Sequence, residues 1–103
     1  MSWIKLDSEH DELDKYDFYG DIFYYKKNTK IIHNEHGPAV LFKNGYIGYL
    51  IESKWHRLDG PARIWPSALE EYYIDGEKLN KEEFEMNHKR LKFLGKEHLI
   101  CLI

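Results

Sequence analysis

The sequence predicts an α+β fold that is mainly β: an antiparallel meander of repeated β-hairpins followed by one C-terminal helix. Three observations predict it. The heptapeptide "HNEHGPA" at 33–39 returns as "HRLDGPA" at 56–62. The dipeptides Asn44-Gly45 and Asp75-Gly76 sit between strand-like runs. A capping pattern precedes apolar residues at helical spacing near the C-terminal end.

A shift of 23 residues places His33 on His56, Gly37 on Gly60, Pro38 on Pro61 and Ala39 on Ala62. The match continues with Leu41 on Ile64, Phe42 on Trp65, Tyr49 on Tyr72 and Ile51 on Ile74. Turn residues and strand residues repeat together, which marks a repeated structural unit rather than a repeated site. Each copy reads as turn, strand, turn and strand. In the first, "AVLF" leads to Asn44-Gly45 and returns as "YIGYLI". Asn-Gly suits a type I′ turn because both residues tolerate positive φ. In the second, "ARIW" and "EEYYI" flank "PSAL", where Ala68 replaces the glycine and Pro66 enters. A longer, irregular loop is expected there. Asp75-Gly76 opens another hairpin, into "EKL".

Residues 1–103 form one predicted domain. The meander repeats occupy 24–79, and "DIFYYKK", a turn near Asn28 and "KIIH" supply a partial unit before the first histidine. The lead, 1–23, is acidic; "YDFYG" is a candidate strand and "LDSEHDELDK" a turn-rich stretch or short helix. Asn80 with Glu83 forms a capping box, Phe84, Leu91 and Leu94 follow at helical spacing, and Gly95 closes the helix. One helix over 81–94 is therefore expected. Residues 97–103 read as a final strand or tail, apolar enough to pair with a second copy.

Composition narrows function by exclusion. The net charge of -3 provides no basic field for a phosphate backbone, so nucleic acid is not an expected partner. Seven acidic residues crowd the first 21 positions, against Lys5 and Lys15. That end either steers a basic partner or simply solvates the surface. Cys101 is the single cysteine, so no intrachain disulfide is possible and a reducing, cytoplasmic setting is expected. No signal peptide or membrane-length apolar run appears.

The residues that resemble catalytic groups have structural duties. Asp59 before Gly60 is placed to accept backbone N–H groups in an Asx-turn. Gly60 avoids a Cβ clash, Pro61 holds the preceding residue extended, and His56 clamps the turn. His33, Gly37 and Pro38 repeat these roles, with Gly76 serving the last hairpin. His36 stands where the second copy has Asp59, leaving Glu35 or backbone groups to hold that turn. A metal alternative would gather His33, Glu35 and His36 with His56 or Asp59. No nucleophile elbow or phosphate loop is present, no catalytic set is assigned, and no cofactor is implied.

Alternation gives each strand two faces. Ala39, Leu41, Ala62 and Ile64 share one; Val40, Phe42, Arg63 and Trp65 share the other. Both are substantially apolar. The second is either covered by the helix or left open for contact, in which case Phe42, Trp65 and Tyr73, with Arg63 and Arg57, form the candidate binding surface.

These motifs resemble a group of small phage and large-DNA-virus proteins built from "HRxDGPA" repeats, distantly similar to MORN-type hairpin repeats. The resemblance rests on His56, Arg57, Asp59, Gly60, Pro61 and Ala62, then Tyr72, Tyr73, Asp75 and Gly76, and less fully on His33, Gly37, Pro38, Ala39 and Gly45. It covers about residues 24–84. It implies a contact module without enzymatic activity, and a phage origin implies an inhibitor of a host or defence protein, such as a CRISPR effector, acting by surface occlusion. A self-associating accessory protein is the alternative.

Overall fold

Short turns between successive strands favour antiparallel pairing with the neighbour. The computed structural model describes residues 3–96 and 98. Ten strands follow in chain order: β1 Trp3–Leu6, β2 Leu13–Phe18, β3 Asp21–Lys26, β4 Val40–Leu41, β5 Ile47–Gly48, β6 Leu50–Ile51, β7 Lys54–Trp55, β8 Arg63–Ile64, β9 Glu70–Ile74 and β10 Glu77–Leu79. Eight of them form one antiparallel sheet in the order β1-β2-β3-β4-β5-β8-β9-β10, and β6 pairs with β7 as a separate hairpin. This is the hairpin meander that the repeats predict.

The acidic lead joins the sheet. Trp3 pairs with Phe18 and Leu6 with Lys15, while β2 runs in register along the whole of β3. The stretch from Asp7 to Glu12 is a turn, with Leu13 donating to the His10 carbonyl at 3.1 Å. Glu9 fastens this turn to the repeats: its carboxylate accepts from Lys15 Nζ at 2.6 Å and from the Tyr24 hydroxyl at 2.7 Å. Those two bonds, Lys15 first, hold the Glu9 carboxyl down at about 2.

Hydrogen bonds repeat with the sequence. Ala39 donates to Gly48 and Ala62 to Glu71, at 2.8 and 2.9 Å. Ser53 donates to Ile32 and Gly76 to Trp55, both at 2.8 Å. Ala39 and Ala62 have no accessible surface, so a larger side chain at either entry to the strand would have to displace packed neighbours. Around Ala39, the buried cluster contains Val40, Tyr46 and Leu50.

Two turns differ from expectation. Asn44 does not adopt positive φ; Gly45 alone does, at 102°. The connection is a three-residue loop, with Gly45 N–H donating to Phe42 and Phe42 N–H to Tyr46, each at 2.9 Å. This is a type I turn followed by a left-handed residue. The second copy keeps the same turn instead of opening into an irregular loop. Ala68 donates to Trp65 at 2.8 Å and Trp65 to Leu69 at 2.9 Å, with Ala68 at φ 73°. Pro66 fits because proline's fixed φ suits the first central position of a type I turn.

The single expected helix is two: α1 Lys81–Glu85 and α2 His88–Phe93. Asn80 and Glu83 form the capping box on α1. The break comes at Asn87, which is extended and caps α2 by accepting from Arg90 N–H at 3.1 Å. Asparagine competes for backbone donors, so it starts a new helix where a continuous one would leave it idle. Phe84 and Leu91 are still buried, and Phe84 stacks on Tyr72 at 4.6 Å.

The Cα radius of gyration is 15.3 Å, with extents of 54 × 31 × 19 Å. A compact chain of 100 residues has about 13 Å. The molecule is a long, thin sheet, so its faces offer wide surface and little enclosed volume. No described helix is long and apolar enough to cross a membrane. Cys101 and the expected tail over 97–103 lie, apart from His98, outside the described residues.

Candidate interaction surface

The two "GPA" turns are built on one plan with different parts. His33 Nδ1 accepts from Glu52 N–H at 2.9 Å, and His56 Nδ1 accepts from Asp75 N–H at 3.0 Å. Each histidine therefore ties the start of its own heptapeptide to the next hairpin turn, 19 residues on, rather than clamping the turn that follows it. Accepting at Nδ1 leaves the ring proton on Nε2. Burial pushes the His56 pKa down; Asp75 opposes that shift and Lys89 adds to it.

The residue after each histidine closes the loop. In the second copy Arg57 Nε donates to Asp59 Oδ1 at 2.9 Å and Nη1 to the Pro61 carbonyl at 3.2 Å. The Asp59 carboxylate thus serves a guanidinium, in place of the expected Asx-turn. In the first copy Asn34 Nδ2 donates to Pro38 at 3.0 Å, while its Oδ1 accepts from His36 N–H at 2.8 Å. Asn34, not Glu35, compensates for the missing aspartate. A Cβ at Gly60 would lie 2.8 Å from Arg57 Cζ, whereas one at Gly37 would meet nothing within 4 Å. Gly60 makes room for the guanidinium; the shorter Asn34 makes no such demand.

The two turns face each other across a cleft of about 480 Å³ lined by Glu35, His36, Tyr49, His56, Arg57 and Asp59 among others. Arg57 belongs here, stacked 4.1 Å over the Tyr49 ring. This corrects its grouping with the aromatic face: its guanidinium reaches back to Asp59 and Pro61. His33, His36 and His56 are not gathered around one point either. The δ nitrogens of His33 and His56 are occupied by backbone N–H groups, and His36 Nε2 turns to Glu12 Oε1 at 2.6 Å.

The other predicted residues come together. Phe42, Arg63 and Trp65 line an open apolar groove of about 440 Å³, with Leu50 and Trp55. Rings continue along this face in an unbroken series. Trp3 lies 5.1 Å from Phe23, Phe23 5.6 Å from Phe42, Phe42 5.3 Å from Tyr46, and Tyr46 4.7 Å from Trp65. Tyr73 stands at its margin, 6.3 Å from Trp55. The helices leave the groove open, since α1 packs on Tyr72, whose side chain alternates with that of Tyr73.

Arg63 organises the groove. Its guanidinium lies over Trp55 at 4.3 Å and Trp65 at 4.8 Å, and its Nε donates to the Tyr46 hydroxyl at 2.9 Å. Glu71 stands 3.7 Å from the same nitrogen and accepts from Trp65 Nε1 at 3.1 Å. Glu71 is shared between Arg63 and Lys78, whose Nζ lies 3.0 Å from its second oxygen, so two cations and one carboxylate edge a groove that is otherwise aromatic surface.

Protein-family models, curated proteins and solved structures were compared with this chain. None of them matches it. Sequence reasoning did not place Trp3, Phe23 or Trp55 on this face. The alternation of "DIFYYKK" carries the signal for Phe23, but Trp3 joins only through the pairing of β1 with β2, which no local pattern announces.

Proposed function

We propose that the protein is a non-enzymatic protein–protein interaction module that binds through the aromatic groove on the Phe42–Trp65 face. One observation carries this reading: a series of rings from Trp3 to Trp65 borders an open apolar groove that the helices leave uncovered. A solvated antiparallel sheet is ordinarily polar on its outer face, and aromatic and arginine side chains dominate binding energy in protein interfaces. The histidines that most resemble catalytic groups are occupied in holding hairpins together, which favours binding over chemistry. The resemblance to phage repeat proteins makes a host or defence protein, such as a CRISPR effector, the partner class, with occlusion of its surface as the mode of action.

The test pairs wild type with Phe42→Ser and Trp65→Ser in affinity capture from host lysate, followed by titration of the purified partner. A stoichiometric protein partner whose affinity falls at least ~10-fold with either variant is the expected result. Capture that is equal for wild type and both variants, or no capture from any relevant host, overturns the reading. Light scattering on the same proteins identifies self-association: a dimer lost in both variants would make the partner a second copy.

A further inference from the structure

We propose that His10, Glu12 and His36 form a binding site for a borderline transition-metal ion such as zinc, joining the acidic lead to the first repeat. Their ligand atoms all lie within 4.8 Å of one another. His36 Nε2 is already 2.6 Å from Glu12 Oε1, and the His10 and His36 rings stack at 3.7 Å with 17° between their planes. Around a tetrahedral zinc ion, with ligands at about 2.0–2.2 Å, the ligand atoms lie roughly 3.3–3.5 Å apart, so the His36–Glu12 pair must open by under an ångström while the wider pairs close in. Side-chain rotation supplies that movement, because His36 and Glu12 are exposed and His10 is half-buried.

The backbone beneath the three side chains is fixed. His10 N–H donates to Ser8 Oγ at 3.2 Å, Lys27 N–H to the Glu12 carbonyl at 3.0 Å, and His36 N–H to Asn34 Oδ1 at 2.8 Å. The donor set of two imidazoles and one carboxylate selects zinc, nickel, cobalt or copper(II) over magnesium and calcium. Three protein ligands leave a coordination position for water or a partner's side chain.

The repeat itself points to His36. Its counterpart is Asp59, which is spent on Arg57 inside its own turn. In the first copy Asn34 performs that duty alone, and the side chain at 36 is released from the turn to meet the lead. The site is separate from the aromatic groove and does not depend on what binds there.

Metal-stripped full-length protein titrated with zinc chloride in a calorimeter gives the test, with cobalt(II) as a spectroscopic probe of the same sample. One-to-one binding with Kd of about 10 µM or tighter is expected. His36→Ala, His10→Ala and Glu12→Gln should each weaken it at least ~10-fold, while His88→Ala leaves it unchanged. Zinc should also shift the ring resonances of His10 and His36 in the wild-type protein, a readout that needs no variant. Absence of heat and of cobalt absorption at several hundred micromolar metal, or binding that survives loss of His10 and His36, overturns the proposal.

Discussion

His56 accepts the backbone N–H of Asp75 at 3.0 Å, repeating across 23 residues the bond that His33 makes to Glu52. The histidine of each repeat is thus a long-range staple between the start of its heptapeptide and the following hairpin turn. Replacing it with an apolar residue strands a backbone donor and removes the neutral ring that covers it. His33 is 5% exposed, so water cannot easily take its place. His33→Phe is expected to lower stability by roughly 1–3 kcal/mol, and His56→Phe by less because that ring is only half-buried. Urea denaturation monitored by tryptophan fluorescence measures both.

The same bond makes stability pH-dependent. Burial places the folded-state pKa of His56 below its ordinary 6.5, outweighing the nearby Asp75. Between the two values the unfolded chain binds more protons than the folded one, so stability rises with pH across that window. The contribution is complete above about pH 6.5 and is lost as the pH falls toward the folded value. The depressed carboxyls of Glu9, Glu12, Glu71 and Asp75 lose their contribution at lower pH, as it falls through the ordinary carboxylate range toward their folded values. The urea midpoint should therefore be lower at pH 5 than at pH 7, and His56→Gln, uncharged at both, should narrow that gap. An unchanged gap would assign the effect elsewhere.

Much of the architecture was legible because it is local. Glycine, proline and asparagine set the bends, and the repeat multiplied a weak signal by two. What was not legible depends on partners distant in sequence. Nothing around Asn87 distinguishes a helix interior from a cap until Phe84 and Leu91 are seen to pack across the break. Arg57 looked like part of an aromatic surface because its clamp on Pro61 is a matter of side-chain reach. Phe42, Arg63 and Trp65 were grouped on one face by simple alternation, and they do line one groove. His10 and Glu12 gave no sequence signal toward His36, from which they are separated by two strands.

Three glycines should respond differently to alanine. At Gly48 a Cβ would sit 2.7 Å from both Trp55 Cζ3 and Val40 Cγ2, a ring and a packed methyl with little freedom to yield. Gly48→Ala should cost roughly 1–3 kcal/mol and disturb the groove through Trp55. At Gly60 the obstacle is the end of the Arg57 side chain, which can swing away at the expense of its bonds to Asp59 and Pro61. Gly60→Ala should fall between. Gly37 has open space and ordinary φ, so Gly37→Ala should change stability by less than about 0.5 kcal/mol. Thermal denaturation of the three variants gives the ranking, and equal losses would contradict it.

The last contrast lies in the paired turns at Gly45 and Ala68, which hold φ of 102° and 73° within the same hydrogen-bonded loop. Left-handed backbone costs a residue with a Cβ about 1–2 kcal/mol, and glycine avoids that cost. Ala68 is exposed, so no lost side-chain packing offsets relief of the strain. Glycine also gains freedom in the unfolded chain, which reduces the benefit by roughly 0.4–1 kcal/mol. Ala68→Gly should therefore stabilise the fold by about 0.5–1 kcal/mol, raising Tm by several degrees. The reverse change, Gly45→Ala, should destabilise by a similar amount. A lower Tm for Ala68→Gly would mean that the loop is not held left-handed at residue 68, and the shared turn geometry of the two repeats would fail with it.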